Sequence, residues 1–379
     1  MWQASRRGGS FGHRPGDART SGAGVRREGR TTKGRSALRL VDVAERAGVS
    51  LATASRALSG SDGVSEVLAE HVREVATEMG YIANPHARTL AGGTTSVAGL
   101  LVYEIGDPYF SEIASGVVRV ATEHGWSVQI SHTEREPSAE VTQIRLMRAH
   151  RVGAILVAGS GYVDPAMEAD AARELAAFQE AGGRVVVIGR HHLHCDAVLP
   201  DSEAAAASLT DHVLGLGHRR IAVAAGPERL TTVADRTAGI RSAVAAHGLD
   251  PDDLFVVHAP FTREGGRDAT QRILAQRPDT TAILALNDAM ATGVLSLLRE
   301  RGVVVPRDMS VTGFDDIQVA QDLAPALTTV RLPMSEMGAT AFELALRPPS
   351  ARPRRRRTDH ELVVRDSTAA PRPDTPVGA

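Results

Sequence analysis

Apolar positions along the chain follow two regimes. From Leu40 they recur at three and four residues, so that Leu40, Val43, Ala44 and Ala47 share one helical face. Gly48 permits a sharp turn. Ser50 stands where a hydroxyl would cap a second helix, whose Ala54, Ala57 and Leu58 pack back while Leu51, Ala52, Ser55 and Arg56 face outward. A third stripe of Leu68, Val72, Val75, Ala76 and Met79 begins near Ser65 and stops at Gly80. Three short amphipathic helices closing one small core predict an all-α head over residues 39–83. A short helix with small outward side chains can enter a DNA major groove, which is about 12 Å wide.

From Ser96 the pattern changes to short apolar runs separated by helix-length segments. Runs at 97–103, 127–130, 153–157, 185–188 and 197–199 form one group, and runs at 221–225, 254–258, 282–286 and 310–313 form a second. This alternation predicts an α/β core of parallel sheets covered by helices, and the two groups predict two lobes. Ligands in such sheets bind beyond the carboxyl ends of the strands, so the loops there are the candidates for a site. They carry Asp107-Pro108-Tyr109-Phe110, Gly226-Pro227 leading to Arg236, then Phe261, Asn287-Asp288 and Gly313-Phe314-Asp315-Asp316. Tyr109, Phe110 and Phe314 would equally suit a core, and Asp315 a helix cap.

Asp42-Val43-Ala44, Ala47-Gly48-Val49-Ser50, Thr53 with Ser55-Arg56, then Tyr81, Asn84 and Ala87-Arg88 with Leu90 resemble the head and hinge of lactose-repressor-type (LacI/GalR) transcription regulators. The resemblance continues to about Thr368. It implies a homodimer on double-stranded operator DNA, read by Ser50, Leu51, Ala52, Thr53, Ser55 and Arg56. It also implies a hinge helix and linker over 84–95, in which Asn84, Ala87 and Arg88 meet DNA and Leu90 wedges into a minor-groove step. Two positions depart from the family pattern. Arg39 replaces the usual hydroxyl cap of the first helix, and Ala83 replaces a proline, with Pro85 close by.

For the remainder the resemblance implies a two-lobed periplasmic-binding-protein-like core over 96–368, crossed by the chain near Asp201, near Arg331 and after about Pro353. The N-lobe would hold 96–201 and 331–353, the C-lobe 202–330 and 354–368, and residues 369–379 would be a disordered tail. Arg236 and Asp315 map to the family's polar ligand anchors, Phe261 to a stacking aromatic, and Tyr109 with Phe110 to the facing wall. Asp201 falls at the crossover and Asn287 among the cleft loops. An arginine fork, a carboxylate and an aromatic face suit a neutral polyol, and would also admit a purine. Leu230, six residues before Arg236, stands where a purine-binding relative would have a basic residue, which favours a sugar effector.

Charge is unevenly distributed. Through Thr95 there are 14 Lys+Arg against 9 Asp+Glu, a net of +5, whereas the other 284 residues carry 29 against 36, a net of −7. Lys33 is the one lysine, so the basic residues favour bidentate phosphate contacts where they face DNA. Residues 1–38 hold nine basic and two acidic residues with almost no large apolar ones, and are expected to be disordered. No run of about 18 apolar residues predicts a membrane span. The one cysteine, Cys195, excludes an intrachain disulfide and suits the cytoplasm.

His191, His192, His194 and Cys195 lack a zinc-ligand spacing, so neither a metal nor a cofactor is expected. Serine-hydrolase, P-loop and dinucleotide motifs are absent, so an enzyme is not expected. A sugar-binding transport component and a sugar-converting enzyme on a similar scaffold stand as the alternatives. The end of the chain has no leucine heptad for tetramerisation.

Overall fold

The computed structural model describes residues 38–59, 62–81 and 96–372. The chain divides into two compact units between residues 83 and 84. The first is the three-helix head: α1 (Leu40–Arg46), α2 (Leu51–Ser59) and α3 (Glu66–Met79). Val43, Ala44, Ala54, Ala57, Val72, Val75 and Ala76 form its core. Gly48, at φ 68°, makes the turn between the first two helices, a conformation that costs glycine no Cβ clash. Ser50 Oγ accepts the Thr53 N–H at 3.1 Å, and Ser65 Oγ accepts that of Leu68 at 3.4 Å. The loss of a hydroxyl cap at Arg39 is offset from within the helix. The Asp42 carboxylate reaches back and accepts the Arg39 N–H at 2.7 Å.

The second unit contains two parallel sheets. The N-lobe strands are β1 (Val97–Val102), β2 (Ser127–His132), β3 (Ala154–Ala158), β4 (Arg184–Ile188), β5 (Asp196–Pro200) and β11 (Arg355–Thr358), in the order β11-β5-β4-β3-β1-β2. Helices α4 (Pro108–Glu123), α5 (Pro137–Ala149), α6 (Ala169–Glu180) and α11 (Met334–Leu346) belong to this lobe. The C-lobe sheet orders β7 (Phe255–His258), β6 (Ile221–Ala225), β8 (Ala282–Ala285) and β9 (Ser310–Thr312), with α7 (Ser202–Gly215), α8 (Thr231–Ala246), α9 (Arg263–Gln276) and α10 (Asp288–Glu300). A small antiparallel pair, β10 (Thr329–Arg331) with β12 (Glu361–Val363), completes the unit. β1, β3 and β4 are almost wholly buried aliphatic strands, as strands covered on both faces must be.

Two expectations are corrected. The resemblance places residues 354–368 in the C-lobe, but Arg355–Thr358 adds in parallel to β5 at the edge of the N-lobe sheet. Asp196 holds it there, accepting the Arg354 N–H at 2.6 Å and its guanidinium at 2.9 Å. The chain therefore crosses after Thr358. The tail was expected to begin at residue 369, yet Ala369 is part of the C-lobe. Its N–H donates to Ser310 Oγ at 3.1 Å and its carbonyl accepts from His218 at 2.9 Å, while Arg372 pairs with Asp308 at 2.8 Å. Backbone groups at the end of the sheet are satisfied in this way, a demand that composition does not reveal. Asn84, Ala87, Arg88 and Leu90 lie outside the described residues, as do residues 1–37.

Candidate functional site

The loops after the strands converge on a cavity of ≈ 320 Å³ between the lobes of the second unit. Its lining includes Tyr109, Phe110, Asp201, Arg236, Phe261, Asn287 and Asp315. Helix α4 is started by Asp107, whose Oδ1 accepts the Tyr109 N–H at 3.0 Å. This cap sets Tyr109 and Phe110 edge to face at 5.1 Å between centroids, with Tyr103 against Phe110 at 6.1 Å. From the C-lobe, the Phe261 ring lies so close over Gly226 that a Cβ there would meet it at 2.3 Å. Asn287 caps α10 by accepting the Met290 N–H at 2.8 Å, and Asp201 caps α7 through the Ala204 N–H at 3.3 Å.

Arg236 is the buried centre of the C-lobe wall, 5% exposed. Its Nη2 donates to Asp315 Oδ1 at 2.9 Å and its Nη1 to the Leu286 carbonyl, and its guanidinium carbon lies 3.6 Å from the Phe314 ring centroid. Its Nε is buried with no hydrogen-bond partner. Phe314 is itself fully buried, so it supports the arginine from beneath and is absent from the cavity lining. Burial pushes the Asp315 carboxyl up to about 7, Arg236 opposes the shift and Asp107 adds to it. Asp288 next to Asn287 is structural. Its carboxylate accepts the Ile317 N–H at 2.8 Å and the Thr329 hydroxyl at 2.7 Å, which fixes the loop that carries Asp315.

Backbone strain gathers here. Four of the five non-glycine residues with positive φ among those described are Glu134, Arg135, Asp315 and Asp316, two adjacent pairs of which Arg135 and Asp315 line the cavity. Each such residue costs on the order of 1–3 kcal/mol and persists only where its surroundings enforce it. Asp315 is held by its N–H donating to the Val330 carbonyl at 2.8 Å. Asp316 is gripped by Arg331 at 2.8 Å and by Arg365 at 2.7 Å.

Sequence reasoning missed Arg135 and the pair Arg190–Asp235. Asp235 accepts a fork from Arg190 at 3.0 and 2.6 Å, joining the lobes beside the cavity. The same seam carries the Thr231 N–H donating to the Gly161 carbonyl at 2.9 Å and the Val163 N–H donating to the Arg229 carbonyl at 2.8 Å. No local pattern could have signalled a contact between residues so far apart in the chain. His191 and His192 of the histidine cluster are tied into the fold, the His192 ring lying 3.1 Å from the Tyr162 carbonyl. His191 donates to the Gly159 carbonyl at 2.7 Å and lies 3.0 Å from Glu168; burial alone would lower its pKa, but the bond to Glu168 raises it. Cys195 is buried and its thiol is pushed up to about 12.

In the head, Leu51 is 52% exposed, Ser50, Ala52 and Arg56 are exposed, and Thr53 and Ser55 half-buried. The Arg56 Nε donates along the helix to the Ala52 carbonyl at 3.3 Å. Among the described residues no helix is long and apolar enough to cross a membrane.

A helix-turn-helix head followed by a two-lobed core with a cleft defines a DNA-binding regulator with a ligand-binding module. Residues 39–84 match the family of bacterial regulatory proteins of the lacI type, and residues 210–368 match the periplasmic binding protein-like domain. The transcriptional regulator DegA of Bacillus subtilis is 32% identical over 335 residues, covering 87% of this chain and 98% of DegA. The Lac repressor dimer bound to operator and the anti-inducer ONPF superimposes with a TM-score of 0.76 at 26% identity, covering 88% of this chain and all of that one. The complex of the regulator CelR with cellobiose gives 0.65 at 29% identity, covering 87% and 99%. This chain belongs to the LacI family of transcriptional regulators.

Proposed function

We propose that the protein is a cytoplasmic, homodimeric repressor whose operator affinity is set by a sugar bound between the lobes. The observation that carries this reading is the convergence of Arg236, Asp315, Phe261, Tyr109, Phe110, Asn287 and Asp201 on one cavity. Arg236 and Asp315 bind hydroxyls, Phe261 covers the apolar face of a ring, and Tyr109 with Phe110 closes the opposite wall. Leu230, buried in the lining, supports a sugar over a purine, as does cellobiose in the complex of the similar CelR.

On the DNA side, Leu51 and Ala52 of α2 contact thymine methyls and Arg56 a guanine, while Ser50, Thr53 and Ser55 meet the backbone. Asn84, Ala87, Arg88 and Leu90 form the hinge contact, with Leu90 as a minor-groove wedge. Only a difference in ligand affinity between two states can shift the equilibrium, so closure of the cleft must be linked to order in the hinge.

Operator binding is measured by fluorescence anisotropy with and without a panel of sugars. Arg236→Ala is expected to bind operator but lose the response, and a normal response would remove the cleft assignment. Arg56→Ala is expected to lose about 1–3 kcal/mol of operator affinity and to relax specificity at one base. Equal losses on operator and random DNA would reduce Arg56 to a phosphate contact.

A further inference from the structure

Four arginines line the cavity, and three are committed. Arg236 is held by Asp315 and the Leu286 carbonyl, Arg190 by the Asp235 fork, and Arg357 donates to Asp201 at 3.5 Å. Arg135 is different. Its side chain is only 14% exposed, yet among the described residues its guanidinium makes no hydrogen bond. The carboxylate that approaches it is Asp107, at 4.0 Å, and one oxygen of Asp107 is already occupied in capping α4.

Its guanidinium carbon is instead 5.9 Å from the Phe110 centroid and 5.8 Å from that of Phe261, so it sits between an aromatic wall of each lobe. The placement is enforced by the backbone. Glu134 and Arg135 take φ 53° and 60°, and the Arg135 carbonyl is tied by the Tyr162 hydroxyl and by Arg229, both at 3.0 Å. A buried fork with open donors, held at a strained position in a ligand cavity, is a receptor for an anion.

We propose that the effector is an anionic sugar, whose carboxylate or phosphate is received by Arg135 while its hydroxyls meet Arg236 and Asp315. This rests on the cleft being the effector site and narrows the ligand class there. Phe110 and Phe261 exclude water from the ion pair, which strengthens it. Burial pushes the carboxyl of Asp315 up to about 7 and that of Asp107 in the same direction, which lessens their repulsion of an entering anion.

The test is calorimetric titration of the full chain with matched probes: glucose, gluconate, glucuronate and glucose 6-phosphate, then ribose and ribose 5-phosphate. At least one acid or phosphate should bind about tenfold or more tighter than its neutral parent, as a charge-assisted hydrogen bond implies. The better of the two arms identifies the acidic group. Arg135→Gln should level acid and parent, and Arg135→Lys should restore part of the preference. Equal affinity for acid and parent, a preference that survives Arg135→Gln, or no measurable binding of any acid overturns the inference. Arg236→Ala separates the two readings. If it removes acid and parent alike, the cleft stands whatever Arg135 does; acid binding that survives it moves the ligand elsewhere, and the effector-site reading falls as well.

Discussion

The reading face of α2 and the wall of the cleft bear the candidate binding residues, yet they are built on opposite terms. In the head, Leu51, Ala52 and Arg56 are exposed on a regular helix whose buried Ala54 and Ala57 do the structural work. In the cleft, Arg236, Asp315 and Phe261 are buried and are themselves part of the packing. A surface that meets a large, solvated partner can keep recognition and stability on separate residues. A cavity that encloses a small molecule has to use the same residues for both.

The comparison is tested most severely at Arg236. Arg236→Ala leaves Asp315 buried without its partner and should cost about 3–5 kcal/mol of stability above about pH 7, where that carboxyl is ionised, read by denaturant unfolding. A loss comparable to a surface substitution would mean that the cleft is as separable as the head.

Next in size is a dependence on pH. The unfolded chain ionises Asp315 near the ordinary carboxylate value of about 4, whereas the folded protein does so only at about 7. The folded state therefore holds an extra proton between these values, so the stability from this group falls as pH rises through that window and is constant above it. Unfolding free energies of wild type and Asp315→Asn, measured at several pH values, should diverge there; parallel profiles would count against the assignment.

Gly226→Ala drives a Cβ into the Phe261 ring and should cost about 1–3 kcal/mol through overpacking. Effector affinity, measured by calorimetry, should fall with it. Unchanged affinity would show that the ring has room to retreat. The smallest effect is expected in the head at Ser50, which caps α2 and is also proposed to meet the DNA backbone: Ser50→Ala should cost about 1 kcal/mol and leave Leu51, Ala52 and Arg56 in place. A thermal-melt change well beyond that would show that the head mixes recognition with stability beyond this one cap.

The same contrast explains what could be read from the sequence. The head follows from local periodicity, with Gly48 turning the chain after α1, Ser50 capping α2, and Ser65 and Gly80 bounding α3. The aliphatic strands β1 to β9 were legible as apolar runs, and with them the loops that carry the cleft residues. β11 was not, because Arg-Arg-Arg-Thr has no apolar face and becomes a strand only by pairing with β5. β10 and β12 were not either, because they become strands by pairing with each other across a long stretch of chain. Arg135 was hidden in a polar run, since its importance comes from a left-handed backbone and from two rings contributed by other segments. Phe314, in contrast, was visible as an aromatic in the right loop, and only packing reveals that it supports Arg236 from below.

Asp315 lines the cavity, and the next residue, Asp316, holds Arg331 and Arg365. These arginines flank the second and third passages of the chain from one lobe to the other. If the proposed ligand binds at Asp315, a load applied there would reach these passages through a single peptide unit, with no long relay in between. Detection and motion would then be adjacent links of one mechanical part, and a substitution that frees Asp316 should leave a protein that still grips its ligand but transmits little of the pull.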